Sequence, residues 1–148
     1  MMPVPVTYEV EQQIKLTLHK YCESIDTADF DALAALFERG RWFMVPQPGS
    51  QPVRDWLDEH IVLYDGHTYT RHEISNLSIV PTDSPDEAAF NCYVTIWQDL
   101  PEEPPKLMVH ARFDGSFQRS GETWWWSTHA FTEHYRGDLS GHIKGALR

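Results

Sequence analysis

The sequence contains few basic residues and no concentration of positive charge. Lys and Arg number 12 against 22 Asp and Glu, which gives a net charge of −10. Nucleic acids and anionic membranes are bound through basic surfaces, so we expect neither as a partner. No apolar run approaches the ~20 residues of a membrane span. The first residues, MMPVPVTYEV, lack the basic start and apolar core of a signal peptide.

Motifs for metals, nucleotides and activated serines are missing as well. The chain has 8 His and 2 Cys but no HxH, HExxH or CxxC pattern. It has no Gly-rich phosphate loop, dinucleotide fingerprint or G-x-S-x-G turn. We therefore expect no metal and no cofactor. Cys22 and Cys92 are far apart in the sequence and are expected to be free thiols in a cytoplasmic protein, because a reducing compartment leaves such thiols unlinked.

The composition suits a single globular domain over residues 1–148. Hydrophobic residues make up 41% of the chain and charged residues 23%, ordinary values for such a domain. Apolar positions recur at spacings of three and four in residues 7–25, 29–37 and 53–64, which predicts three helices.

Capping and turn-forming residues between these segments predict where the helices begin and end. Asp29 is expected to cap the second helix, which should stop near Gly40. Asp65 and Gly66 should close the third helix. The segment RWFMV, residues 41–45, reads as a short strand.

Four long strands are predicted in the second half, separated by short turn-rich segments: residues 68–81, 87–99, 106–119 and 122–135. They exceed the ~5–6 residues of an average strand, so we expect a strongly curved antiparallel sheet with bulges. The predicted class is α+β, with the sheet wrapped around the three helices. The open end of such a cone can hold a ligand.

The first long strand, TRHEISNLSIV, carries polar side chains on both faces. Alternation places His72 and Asn76 on one face, where a ligand cavity would need them. Candidate cavity residues on the other strands are Asn91, Tyr93, His110 and Trp126. A bulge would reset the alternation, so either face of each strand could look inwards.

Three stretches resemble one known family: YCESIDTADFDALAALF, TRHEISNLSIV and WWWSTHAFTEHYRGDLSGH. Together they are similar to the SnoaL-like branch of the nuclear transport factor 2-like superfamily, over roughly residues 8–140. That superfamily includes dehydratases, a dehydrochlorinase, polyketide cyclases and ketosteroid isomerase. The resemblance implies a cone-shaped α+β fold, in agreement with the pattern of helices and strands.

The resemblance also implies roles for individual residues. A His on the first long strand pairs with an Asp after the first helix in dehydratase-like members, and His72 and Asp26 match these positions. Tyr21 matches a tyrosine that bile-acid dehydratases use, and Arg136 is nearest to their arginine after the last strand. Each has a structural alternative: Asp26 could cap the second helix, His72 could be a structural histidine, Tyr21 could be core, and Arg136 could lie in a solvated turn.

These residues suit proton transfer, since a neutral imidazole oriented by a carboxylate can take a proton from carbon. The expected function is a cofactor-free lyase or isomerase, dehydratase-like, acting on a hydrophobic cyclic small molecule. The alternative is a non-catalytic protein, either the small β subunit of a ring-hydroxylating dioxygenase or a ligand-binding domain. The aromatic sheet also predicts a homo-oligomer, a dimer or trimer, because a monomer would expose a large apolar patch.

Overall fold

A computed structural model describes residues 5–146 of the chain. Three helices precede four strands, as the sequence predicted. The helices are α1 (Tyr8–Asp26), α2 (Phe30–Ala35) and α3 (Ser50–His60), and the strands are β1 (Thr70–Pro81), β2 (Glu87–Gln98), β3 (Lys106–Ser120) and β4 (Thr123–Arg136). Each strand begins and ends within two residues of its predicted bounds.

The strands form one antiparallel sheet in the order β1-β2-β3-β4, curved but not closed into a barrel. The helices cover its concave face. Helix α1 packs against both edge strands, β1 and β4, so it spans the gap that the open sheet leaves. The predicted α+β cone is therefore confirmed, with its cavity bounded by helices on one side and the sheet on the other.

Helix α1 begins where Thr7 accepts a hydrogen bond from the backbone N–H of Val10 and ends at Asp26. Its buried stripe recurs at helical spacing and includes Ile14, Leu18 and Tyr21. Asp29 caps α2 as predicted, accepting from the backbone N–H of Ala32. The capping role is thus filled by Asp29, which leaves Asp26 available for other partners.

Three helix boundaries differ from the sequence prediction. Helix α2 stops at Ala35 rather than near Gly40, and turns follow it. Helix α3 begins at Ser50, because Pro52 lies in the first turn, where a missing N–H costs nothing. It ends at His60 rather than before Asp65, since Ile61 is extended and pairs with Ile143 near the end of the chain.

The predicted strand at residues 41–45 was wrong: this segment is a loop. Only its first residue bonds to the sheet, where the N–H of Arg41 donates to the carbonyl of Ser127 at 3.0 Å. The segment's apolar character comes from packing, because Trp42 and Val45 are buried in the core. Apolarity alone does not separate a strand from a buried loop.

Large aromatic side chains fill much of the core. Phe37, Phe90, Phe113, Phe117 and Trp126 are all no more than 2% exposed. Cys22 and Cys92 are free thiols, and burial raises the pKa of each to about 12. Within residues 5–146, none of the helices combines the length and apolar character needed to cross a bilayer.

Candidate active site

Asp26 lies at the C-terminal end of α1, where the helix dipole disfavours a negative charge. Three hydrogen bonds from β1 compensate. The Thr70 hydroxyl donates to Oδ1 at 2.8 Å, the His72 ring Nδ1 donates to Oδ1 at 2.6 Å, and the His72 backbone N–H donates to Oδ2 at 2.8 Å. The carboxylate is therefore fixed against the first long strand.

This contact determines which nitrogen of His72 is free. A carboxylate oxygen only accepts hydrogen bonds, so Nδ1 carries the proton and Nε2 is left as the basic nitrogen. The His72 side chain is only 5% exposed, and the Asp26 side chain 20%. An imidazole held this way by a carboxylate has a set tautomer and a nearby charge to stabilise its protonated form.

Tyr21 lies on α1 about one turn before Asp26, and its ring packs edge-on against His72 with centroids 6.4 Å apart. Its hydroxyl accepts a hydrogen bond from the indole N–H of Trp42 at 3.1 Å. No acceptor for the hydroxyl's own proton lies within reach among residues 5–146. Burial raises the pKa of Tyr21, so the group stays neutral and can donate to a ligand.

Tyr21 and His72 both line a cavity of about 120 Å³ between the helices and the sheet. One buried water needs ~10–15 Å³ of such a cavity, so the volume corresponds to roughly ten water-sized groups, enough for one or two small rings. The lining is mostly apolar: it includes Ile25, Trp42, Phe43, Met44, Trp56, Ile61, Ile96, Val109, Phe113, Phe131, Leu139 and Ile143. A hydrophobic ligand fits such a surface, and a few polar groups would orient it.

Two charged residues stand at the rim of the cavity. The Nε–H of Arg136 donates to both carboxylate oxygens of Glu133, at 3.1 and 3.0 Å. Both side chains also line a shallow outer groove beside His129. Arg136 thus reaches the cavity, although half of its side chain is exposed. In the described part of the chain, no group of three His, Cys, Asp or Glu side chains is placed to hold a metal ion.

The sequence was compared with known families and proteins. The profile of the SnoaL-like domain matches residues 6–137. The chain belongs to this family. None of the curated proteins matches this sequence significantly.

Solved structures share the fold of this SnoaL-like domain. A proposed aromatic ring hydroxylase from Novosphingobium aromaticivorans is 18% identical, with 92% of this chain and 98% of that chain covered and a TM-score of 0.72. A proposed scytalone dehydratase from the same organism is 19% identical, with 88% of each chain covered and a TM-score of 0.66. LinA is 18% identical, with 90% of this chain and 91% of that chain covered and a TM-score of 0.70. At these identities the likeness establishes the fold alone.

Asn76 does not face the cavity of the SnoaL-like domain. The pairing of β1 with β2 shifts between Ser75 and Ser78, and Asn76 adopts a φ of +52° in this bulge. Alternation is reset there, so Asn76 is exposed while Leu77 turns towards the core. A substrate-binding role for Asn76 in this cavity is not retained.

The other strand candidates also lie outside the cavity. In β2 the inward set is Ala88, Phe90, Cys92, Val94, Ile96 and Gln98, which leaves Asn91 and Tyr93 on the outer face. His110 is exposed on that face too and contacts the Thr95 hydroxyl at 3.2 Å. Trp126 is 1% exposed within the core and does not line the cavity. These four are likewise not retained as substrate-binding residues.

Sequence reasoning missed His142, which lines the cavity from the segment after β4. Its ring lies 6.3 Å from that of His72, centroid to centroid, and the residue is 6% exposed. Burial, and to a lesser degree nearby His72, lowers the pKa of His142 to about 3, so it is neutral at physiological pH. The spacing of Leu139, His142 and Ile143 was the available signal, since three- and four-residue spacing predicts a turn with one packed face.

Proposed function

We propose that this SnoaL-like domain is a cofactor-free lyase or isomerase of the dehydratase type, acting on a hydrophobic cyclic small molecule. The observation that carries this proposal is the hydrogen bond of 2.6 Å between His72 and Asp26 at the wall of a mostly apolar cavity. A buried imidazole with a fixed tautomer and one basic nitrogen is suited to take a proton from carbon.

The reaction begins when Nε2 of His72 removes a proton from a carbon next to a carbonyl group. Asp26 stabilises the imidazolium that forms, because its carboxylate already accepts the Nδ1–H. The electron pair of the broken C–H bond moves into the carbonyl, giving an enolate. In an elimination the pair then forms a C=C bond as the leaving group departs, and a hydroxyl leaves as water by taking the proton back from His72. In an isomerisation His72 returns the proton to another carbon.

Tyr21 would stabilise the enolate oxygen. Its hydroxyl is neutral, buried and already accepts a hydrogen bond from Trp42, which polarises the O–H bond and makes it a better donor. Donors placed in a site shielded from water are worth more than the same donors in solution, because they need no reorganisation during the reaction.

Proton abstraction can be tested without the natural substrate. The probe is 2-tetralone, a two-ring ketone, whose exchange of α-protons for deuterium in D₂O is followed by NMR. General-base catalysis contributes ~10²–10⁴ in rate, so His72→Ala should lower the exchange catalysed by the protein by that factor. His110→Ala, on the outer face, is the matched control and should exchange at the wild-type rate.

Asp26→Asn should impair exchange nearly as much as loss of the imidazole. The backbone N–H of His72 needs an oxygen acceptor, so the new amide oxygen would face it and the NH₂ would face Nδ1. That arrangement moves the ring proton to Nε2 and removes the base. Exchange by the wild type at the buffer rate, or unchanged exchange in His72→Ala, would refute the proposed function. Binding of 2-tetralone without exchange would instead favour a ligand-binding domain.

A further inference from the structure

The segment after β4 is a fixed wall of the cavity. The Val62 N–H donates to the His142 carbonyl at 2.8 Å, and the Lys144 N–H donates to the His60 carbonyl at 2.7 Å. The Gly141 carbonyl accepts two further bonds at 2.8 Å, from the Gln98 side-chain amide and the Tyr64 hydroxyl. Backbone and side-chain bonds therefore hold His142 in place between the end of α3 and the sheet.

The two ring nitrogens of His142 differ in their surroundings. Nδ1 is fully enclosed and has no hydrogen-bond partner among residues 5–146, so a ligand in the cavity does not reach it. Nε2 is not enclosed in this way, and no residue of the described chain bonds it. Because the ring lines the cavity, a ligand there can supply a partner for Nε2.

The geometry beside His72 sets what this partner can be. The ring centroids of the two histidines are 6.3 Å apart, so a ligand that meets His72 also lies beside His142. A neutral imidazole is a hydrogen-bonding group and not a charge, so it suits a hydroxyl or carbonyl rather than a carboxylate. Around this point the lining is apolar, with Leu139 and Ile143 on the same segment.

We propose that His142 is a specificity-determining residue whose Nε2 hydrogen-bonds an uncharged oxygen group of an otherwise apolar ligand. The inference rests on the proposed function only in assigning a small molecule to this cavity. The preferred ligand class is a one- or two-ring compound that carries a hydroxyl or carbonyl on the side facing the end of the chain, in addition to the group that meets Tyr21.

A matched pair of probes tests this assignment by binding, independently of turnover. We would measure the affinities of 2-naphthol and 2-methylnaphthalene by calorimetry, because they have the same shape and differ in a hydroxyl against a methyl group. One neutral hydrogen bond in a desolvated site corresponds to a preference of about 3- to 10-fold. Wild type should prefer 2-naphthol by that factor.

Three variants assign the preference to one residue. His142→Leu should lose the preference and bind 2-methylnaphthalene at least as well as wild type. His142→Gln should recover part of it, because the Gln amide nitrogen occupies nearly the position of Nε2, and this variant keeps the test valid if the Leu variant folds poorly. Tyr21→Phe tests whether the Tyr21 hydroxyl, rather than His142, binds the hydroxyl of 2-naphthol. This variant should keep the preference for 2-naphthol.

The outcomes separate this inference from the proposed function. Equal affinities in wild type, a preference that survives His142→Leu, or no binding of either probe would overturn the role of His142. Failure of 2-tetralone exchange combined with the expected binding pattern would refute catalysis and leave the binding role of His142 standing.

Discussion

The buried side chain of His129 should make the free energy of unfolding fall as the pH is lowered. Its ring lies inside an aromatic cage, stacked on Phe37 at 5.9 Å and edge-on to Phe113 at 4.4 Å. Neither ring nitrogen has a hydrogen-bond partner among the described residues. Burial lowers the pKa of His129 from 6.5 to about 3, so the folded protein keeps the ring neutral where the unfolded chain would protonate it.

The sign and size of the effect follow from proton linkage. Between pH 6.5 and about 3 the unfolded chain binds more protons than the folded one, so stability is full above pH 6.5 and falls as the pH is lowered. The slope of the unfolding free energy against pH approaches about 1.4 kcal/mol per pH unit for each such histidine. Lowering the pH from 7 to 5 should therefore remove about 2 kcal/mol through His129 alone.

The experiment compares wild type with His129→Phe by urea unfolding at pH 7 and pH 5. Phe keeps the planar stacking in the cage, and any cost of its larger ring is the same at both pH values. The loss of unfolding free energy on acidification should be about 2 kcal/mol smaller in the variant. His142, whose pKa is lowered in the same direction, should account for part of the slope that remains.

Leu16→Gln is the control for this measurement. Leu16 is exposed on α1 and neither side chain ionises, so this substitution should leave the slope unchanged. An equal slope in wild type and His129→Phe would refute the reasoning. It would mean that the folded protein takes up the same proton on His129 that the unfolded chain does.

Two further predictions concern the support of the site and assembly. Thr70→Val removes one of the hydrogen bonds that fix the Asp26 carboxylate, so urea unfolding should show a loss of about 1.5–3 kcal/mol, and a change below about 0.5 kcal/mol would contradict the role given to Thr70. The exposed aromatics of the outer sheet face, Tyr93 at 41% and Tyr135 at 50%, support a homo-dimer or trimer, and sedimentation of a monomer at micromolar concentration would contradict this.

The residues by themselves determined the order and type of the main elements. Apolar spacing of three and four marked α1 and its buried stripe, because this period is imposed by local backbone geometry. Long runs between short turn-rich segments marked all four strands. Asp29 was recognisable as a cap from its position before an apolar run. The position of Asp26, against the dipole of its own helix, was a local sign that another group must stabilise it.

Which side chains share the cavity was decided by tertiary structure. The bulge at Asn76 reverses the alternation of β1, and bulges leave no reliable mark in the sequence, so the inward face could be assigned only from the strand pairing. His142 reaches the cavity because Ile143 pairs with Ile61 more than 80 residues earlier. Contacts over such separations depend on the whole fold, whereas periodicity reports only on neighbouring residues. The sequence therefore predicts the cone-shaped fold, whereas the packing of the folded chain determines which residues line the cavity.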